Sequence, residues 1–326
     1  MTGIIILNWN GWKDTIMCLA SLYQIDTKDF VVVVVDNGSA DNSVNEINNW
    51  LQINHITSDT VEENGQFSSN LINKMCIVYQ LKQNYGFAKG NNLGISLIEK
   101  WNLNNYLCLN NDTEVTSDFL DKLIDFQKNN NTYSILTPQI RYYEPKNLIW
   151  NCGGAFFFGF RKYKYNGQDF SKIKEKEFIP IGYCTGCAMF FPADLLENGK
   201  IFTESFFFGE EDFELAFRMK KKKVKMACII SSLIYHKVGT STKNVPKIGK
   251  IYIHYLNRFI NVRQHFSAFQ FCIWKWIYTP YIFLLLSKYF SYKQTYVLLK
   301  KILSESKTLN QVTQETFNKY LYISKI

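Results

Sequence analysis

The sequence has no internal repeat, no second cysteine pair at zinc spacing, and no uncharged apolar run long enough to span a bilayer. The missing repeat sets aside solenoid and propeller architectures. Of the eight cysteines, only Cys184 and Cys187 form a Cys-x-x-Cys, and their flanks read as a strand. A zinc or redox centre is therefore not expected. The others stand singly, several inside apolar runs, as small buried hydrophobes of a reducing compartment would. Met1-Thr-Gly runs straight into four apolar residues with no basic stretch before them, so no signal peptide is expected. Within the apolar stretch 266–290, which holds Lys275 and Pro280, the uncharged part 276–287 is too short to cross roughly 30 Å of hydrocarbon as a helix. No base-stacking motif appears, so nucleic acid is not an expected partner.

What is present suits a packed core. The 326 residues are 47% hydrophobic and 16% aromatic, and the formal charge is +9, which fits an anionic partner such as a nucleotide or a phospholipid surface. Apolar segments at 4–7, 30–35, 75–81 and 106–109 read as strands. Helical patterns follow at 14–22, from Asp41 or Asn42 to about 50, at 86–100, and at 117–127 with Ser117 as cap and Asp118 in the first turn. Residues 52–74 read as a polar surface loop. Four β-then-α units predict a mostly parallel sheet flanked by helices. Beyond them, 149–160 and 184–191 read as strands covering a cleft, 211–222 as a helix, and 224–235 as a strand ending at His236. From about 249 aromatic and basic residues alternate, and Trp274, Trp276, Tyr278, Tyr281, Lys288 and Tyr289 are interfacial types. A monotopic membrane contact is expected there. The alternative is a helical hairpin packed on the rest of the chain or on a second subunit.

The chemistry lies at the strand ends. Asn8-Trp-Asn10-Gly follows the first strand, Asp36-Asn37-Gly-Ser the second, Asn84-Tyr-Gly86-Phe with Lys89-Gly-Asn-Asn92 the third, and Asn110-Asn111-Asp112 the fourth. In a parallel sheet these ends share one edge, where ligands bind. A lone Asp flanked by neutral amides suits a divalent cation that also holds phosphate oxygens. Glu210-Glu211-Asp212 forms a second acidic centre, which by itself also suits a helix first turn. Lys220 to Lys223 are expected at the other end of that helix. Gly153-Gly154 and Thr185-Gly186 permit close backbone approach or simple bends.

These motifs, in this order, resemble the family-2 glycosyltransferases of GT-A fold, in particular the bacterial branch with rhamnosyltransferase-type enzymes of surface polysaccharide synthesis. The matching text is Ile5-Ile-Leu-Asn-Trp-Asn-Gly, Val35-Asp-Asn-Gly-Ser, Asn84-Tyr-Gly-Phe-Ala-Lys-Gly-Asn-Asn, Leu109-Asn-Asn-Asp-Thr, Thr185-Gly-Cys-Ala-Met, Phe208-Gly-Glu-Glu-Asp-Phe-Glu and His236-Lys-Val-Gly239. The resemblance implies a GT-A domain over 1–247, with a nucleotide-binding half (1–115) and an acceptor half (116–247), and a helical membrane-associating appendage over 248–326. It implies that Asp36 accepts a hydrogen bond from a pyrimidine base, with Asn8, Asn10 and Asn37 beside it and Gly86, Lys89, Asn92, Asn110, Asn111, Gly154, Thr185, Gly186 and Glu211 lining the donor and acceptor. Asp112 and His236 would ligate Mg²⁺ or Mn²⁺ on the diphosphate, and Asp212 would be the catalytic base. Asn110 departs from the family's first acid and leaves one carboxylate where two would bind better. The implied activity is inverting transfer from a UDP- or dTDP-sugar to a glycan or lipid-linked hydroxyl, at the inner face of the cytoplasmic membrane. A catalytically dead scaffold is the main alternative. A nucleotidyltransferase is disfavoured, because no Gly-rich, Arg-containing loop follows the first strand.

Overall fold

The structure, a computed structural model, describes residues 1–67, 70–238 and 246–322. The first half alternates strand and helix. Its elements are β1 (Thr2–Asn8), α1 (Trp12–Leu22), β2 (Phe30–Asp36), α2 (Ser43–Ile53), β3 (Ser58–Glu62), β4 (Cys76–Gln80), α3 (Gly86–Ile98) and β5 (Asn105–Asn110). All five strands run parallel, in the order β3-β4-β2-β1-β5. Every residue of β2 is buried, as expected for a parallel strand covered on both faces. Hydrophobic side chains from alternate positions feed two cores, one on each face of the sheet.

The stretch expected as a loop, 52–74, contains β3. It escaped notice because it is the edge strand: only Val61 is buried and the other positions stay polar and partly open to water.

The second half comprises β6 (Thr113–Val115), α4 (Phe119–Asn129), β7 (Ile135–Tyr142), β8 (Ile149–Asn151), β9 (Gly154–Phe157), β10 (Phe160–Tyr163), β11 (Phe178–Ile181), β12 (Ala188–Pro192), α5 (Glu211–Lys221) and β13 (Met226–His236). Strand β12 enters the centre of the sheet antiparallel between β5 and β7 and does not lie over a cleft. Met189, Phe190 and Phe191 are fully buried, which requires cover on both faces. The β9–β10 hairpin stands apart as a two-stranded sheet. Helix α4 starts at Phe119 with Asp118 at its N-cap, one residue beyond the expected Ser117.

The C-terminal region folds as α6 (Lys247–His265), α7 (Ala268–Leu286), α8 (Tyr292–Thr308) and α9 (Gln314–Leu321). Their core joins Tyr252, Phe259, Trp274 and Tyr278 to Phe206 and Phe217, with Phe156 and Phe160 of the hairpin packed against it. Helix α7 buries the stripe Trp274, Tyr278, Ile282 and Leu286 and exposes Phe269 (75%), Trp276 (80%) and Leu284 (66%). With Lys275 included, its 19 residues are long and apolar enough to cross a membrane by length and composition. The uncharged part 276–287 alone is too short, and the helix reaches this length because it runs through Lys275.

Candidate active site

Register places Asn8 beside Asp36, and Leu7 beside Asn110, so the ends of β1, β2 and β5 form one edge. A continuous hydrogen-bond chain runs along it. Asn111 Nδ2 donates to Thr15 Oγ1 (3.0 Å), and Thr15 Oγ1 donates to Asn8 Oδ1 (2.7 Å). Asn8 Nδ2 donates to Asp36 Oδ2 (2.7 Å), which also accepts from Ser39 Oγ (2.6 Å), while Ser39 N donates to Asp36 Oδ1 (3.0 Å). Asp36 thus makes three of the four bonds a carboxylate accepts, which leaves one acceptor position on Oδ1. Asn10, at φ 50°, accepts from Ala40 N (2.8 Å) through Oδ1 and folds the first loop over the second. Ser39 and Thr15 are links that the sequence did not single out.

The third loop is clamped from two sides. Asn37 donates to Asn84 Oδ1 (2.9 Å) and accepts from Tyr85 N (2.9 Å). Gly86 has φ 82°, and a Cβ there would stand 2.1 Å from Phe207 O, so only glycine lets the loop meet the 205–210 segment. Lys89 Nζ lies 4.0 Å above the Tyr85 ring. Asn92 is buried and bonded to Phe202 O (2.9 Å) and to Ile201 N and Phe202 N (3.2 Å each). It ties α3 to the 201–204 turn from inside the protein.

At the next corner, Asn110 N donates to Cys187 O (2.8 Å), bringing the Thr185-Gly186 turn to the same edge, with Gly186 against the Phe87 ring. Gly154 lies under Lys162 O and the Tyr183 ring, inside the hairpin. His236 ends β13 and its Nε2 stands 3.0 Å from Asp112 Oδ1. The pair is off hydrogen-bond geometry, so Asp112 Oδ1 and His236 Nδ1 are both buried without a hydrogen-bond partner. A cation held between carboxylate and imidazole would satisfy the orphaned oxygen. Among the described residues no group of three or more His, Cys, Asp or Glu converges to hold a metal, so Asp112 and His236 would supply two donors and leave the rest to substrate oxygens and water. Gly239 lies outside the described residues.

The acid pair opens α5. Glu211 is buried and its Oε2 accepts from Glu210 N (2.8 Å). Burial, then the neighbouring Asp212, pushes the Glu211 carboxyl up to about 7. Asp212 is partly exposed, and burial raises it to about 6, with Arg161 pulling it down and Glu210 pushing it up. A carboxyl poised near 6 is ionised at neutral pH and still basic enough to take a proton. Arg161 and Arg258 were not anticipated as site residues, and Glu210 was read only as a member of the acidic centre. Both thiols of Cys184-x-x-Cys187 are buried and held well above the ordinary range by burial, consistent with inert packing groups.

The model of glycosyl transferase family 2 matches residues 3–199. The chain belongs to this family. It is a glycosyltransferase, and its mixed, mostly parallel sheet with flanking helices is the GT-A fold. It is 24% identical over 274 residues to the low-salt glycan biosynthesis hexosyltransferase Agl10 of Haloferax volcanii, covering 81% of this chain and 76% of that one. The mannosyltransferase PcManGT of Pyrobaculum calidifontis, solved with GDP-Man and Mn²⁺, superposes with a TM-score of 0.53 at 12% identity over 98% of this chain and 84% of that one. S. aureus TarS superposes with a TM-score of 0.48 at 14% identity, covering 94% of this chain, which spans 43% of the length of TarS.

Proposed function

We propose that the protein is an inverting, metal-dependent transferase that moves a hexosyl or deoxyhexosyl group from a UDP- or dTDP-sugar to a hydroxyl of a glycan or lipid-linked acceptor in surface polysaccharide synthesis. The observation that carries the reading is a pair of acids in different settings. Asp112, just past β5, stands with His236 at the end of β13, and Asp212 opens α5 behind a loop that rests on Gly86. The free acceptor position of Asp36 takes an N–H of the base. Asp112 and His236 would hold Mg²⁺ or Mn²⁺, which when bound offsets charge building on the diphosphate. Asp212 takes the proton of the acceptor hydroxyl. The hydroxyl oxygen then bonds to the anomeric carbon from the face opposite the diphosphate, and the carbon–oxygen bond to the diphosphate breaks with its electron pair.

On this reading the C-terminal helices would hold this chemistry at the inner face of the cytoplasmic membrane, a location their composition supports. Residues 246–326 hold 12 of the 37 lysines and arginines and 2 of the 28 acids, so the remaining 25 bases and 26 acids nearly cancel. The positive charge is therefore concentrated in the same C-terminal region as the exposed aromatic side chains of α7, a combination of the kind that anionic bilayers attract. A thermal-shift panel of UDP-, dTDP- and GDP-sugars with Mg²⁺ or Mn²⁺ tests the donor reading. A stabilising shift is expected for a uridine or thymidine donor only with metal, and no shift from any of them would contradict it.

A further inference from the structure

The segment before the catalytic acid pair is held largely by the C-terminal region. Phe207 N donates to Val312 O and Val312 N to Ser205 O (2.8 Å each). Asn257 Nδ2 of α6 donates to the carbonyls of Phe208 (3.0 Å) and Gly209 (2.7 Å). Asn261 Nδ2, one helical turn on, donates to Glu210 Oε1 (3.0 Å). That carboxylate is almost fully buried, is paired directly with Arg161 of β10, and has Arg258 Nε 3.8 Å from its other oxygen. Arg258 is itself anchored through Nη1 to Tyr278 Oη of α7 (2.7 Å), and Arg161 stacks on the Phe213 ring. Glu210 has φ 153°, a conformation L residues rarely adopt, and such a residue persists only where its surroundings over-determine it.

Resting on the reading of Asp212 as the base, we infer that α6 completes the catalytic centre: Asn257, Arg258 and Asn261, together with Arg161, fix Glu210 and thereby position Asp212. These are positioning residues. The C-terminal region is then part of the transfer machinery as well as a surface-contacting element. A buried ion pair of this kind adds little to net stability, and removing one partner leaves an uncompensated charge. The groups facing Asp212 are Arg161 and Tyr163 of β10, Glu210 and Glu211 beside it, Arg258 of α6, and Tyr183 and Cys184 before β12.

The test is a ¹³C titration of the Asp212 carboxyl in the full-length protein labelled on aspartate, with the signal assigned by its loss in Asp212→Asn. Arg161→Gln and Arg258→Gln remove positive charge and are expected to raise the Asp212 midpoint. Isosteric Glu210→Gln is expected to lower it, each by about half a unit or more. A purely structural role would not produce opposite signs. Arg258→Lys keeps the charge but not the fork, so its midpoint returns toward wild type while turnover of the shifted nucleotide sugar stays depressed. Should either arginine-to-glutamine variant fail to fold, Glu210→Gln and Arg258→Lys decide the matter. Midpoints that all move one way, or stay at the wild-type value in folded variants, would overturn the inference. The titration needs no substrate, so opposite shifts without turnover of any UDP-, dTDP- or GDP-sugar would count against the proposed donor and base and leave the positioning role standing.

Discussion

Asp36 ends β2 and Asp212 opens α5, and the surroundings of these two acids differ in kind. Asp36 is held by neutral donors from β1 and its own turn, Asn8 Nδ2, Ser39 N and Ser39 Oγ. Asp212 stands among charges: Arg161 and Arg258 favour its ionised form, and the neighbouring Glu210 and Glu211 oppose it. A carboxylate surrounded by amides is fixed and suited to recognition. One poised between arginines and buried acids near pH 6 is suited to accepting a proton. In the proposed reading this difference corresponds to a division between binding and chemistry.

The comparison breaks most visibly under substitution. Asp212→Asn is expected to lower kcat by about 10²–10⁴-fold with donor binding retained, as loss of a general base does. Asp112→Asn, or removal of divalent metal by chelator, is expected to cost on the order of 10²-fold in turnover, with added Mn²⁺ restoring the chelated wild type but not the variant. Asp36→Asn changes recognition only: donor KM is expected to rise by about 10-fold, roughly 1–2 kcal/mol, with kcat little changed. Asn92→Ala is expected to lower the melting temperature through lost bonds to the 201–204 turn, roughly 1–3 kcal/mol, while the donor KM stays near wild type.

The pH profile sharpens the same contrast. Asp212 must be ionised to accept a proton, so kcat/KM should fall as pH drops through about 6. Stability runs the other way. The folded carboxyls of Asp212 and Glu211 bind protons more tightly than their ordinary values of 3.8 and 4.5, so ionising them costs stability, and the fold weakens as pH rises from about 4 to 7. Glu211→Gln should therefore melt higher than wild type at pH 8, with the gain vanishing below about pH 4.

The amide-built half of the site was legible in the sequence because it depends on register and turns. Strand ends are marked by Asn-Gly and Asp-Asn-Gly, and parallel pairing brings them to one edge. The acids of the charged half were legible too, but its arginines were not. Arg161 lies 49 residues before Glu210 and Arg258 lies 48 after it, and nothing local in the chain signals that three elements bury one ion cluster. The alternating aromatic and basic residues of α6 read as a membrane-facing surface, yet Tyr252, Arg258 and Phe259 point into the protein, and α7 carries the exposed aromatics. Likewise β3 reads as loop because an edge strand needs only one buried side chain.

The central claim, that Asp212 serves the chemistry while the amide-lined edge serves binding, is tested most directly by measuring donor binding and sugar transfer side by side in wild type and Asp212→Asn. The account predicts metal-dependent donor affinity within about threefold of wild type and transfer reduced at least 100-fold. Transfer at the wild-type rate in the folded variant would contradict it.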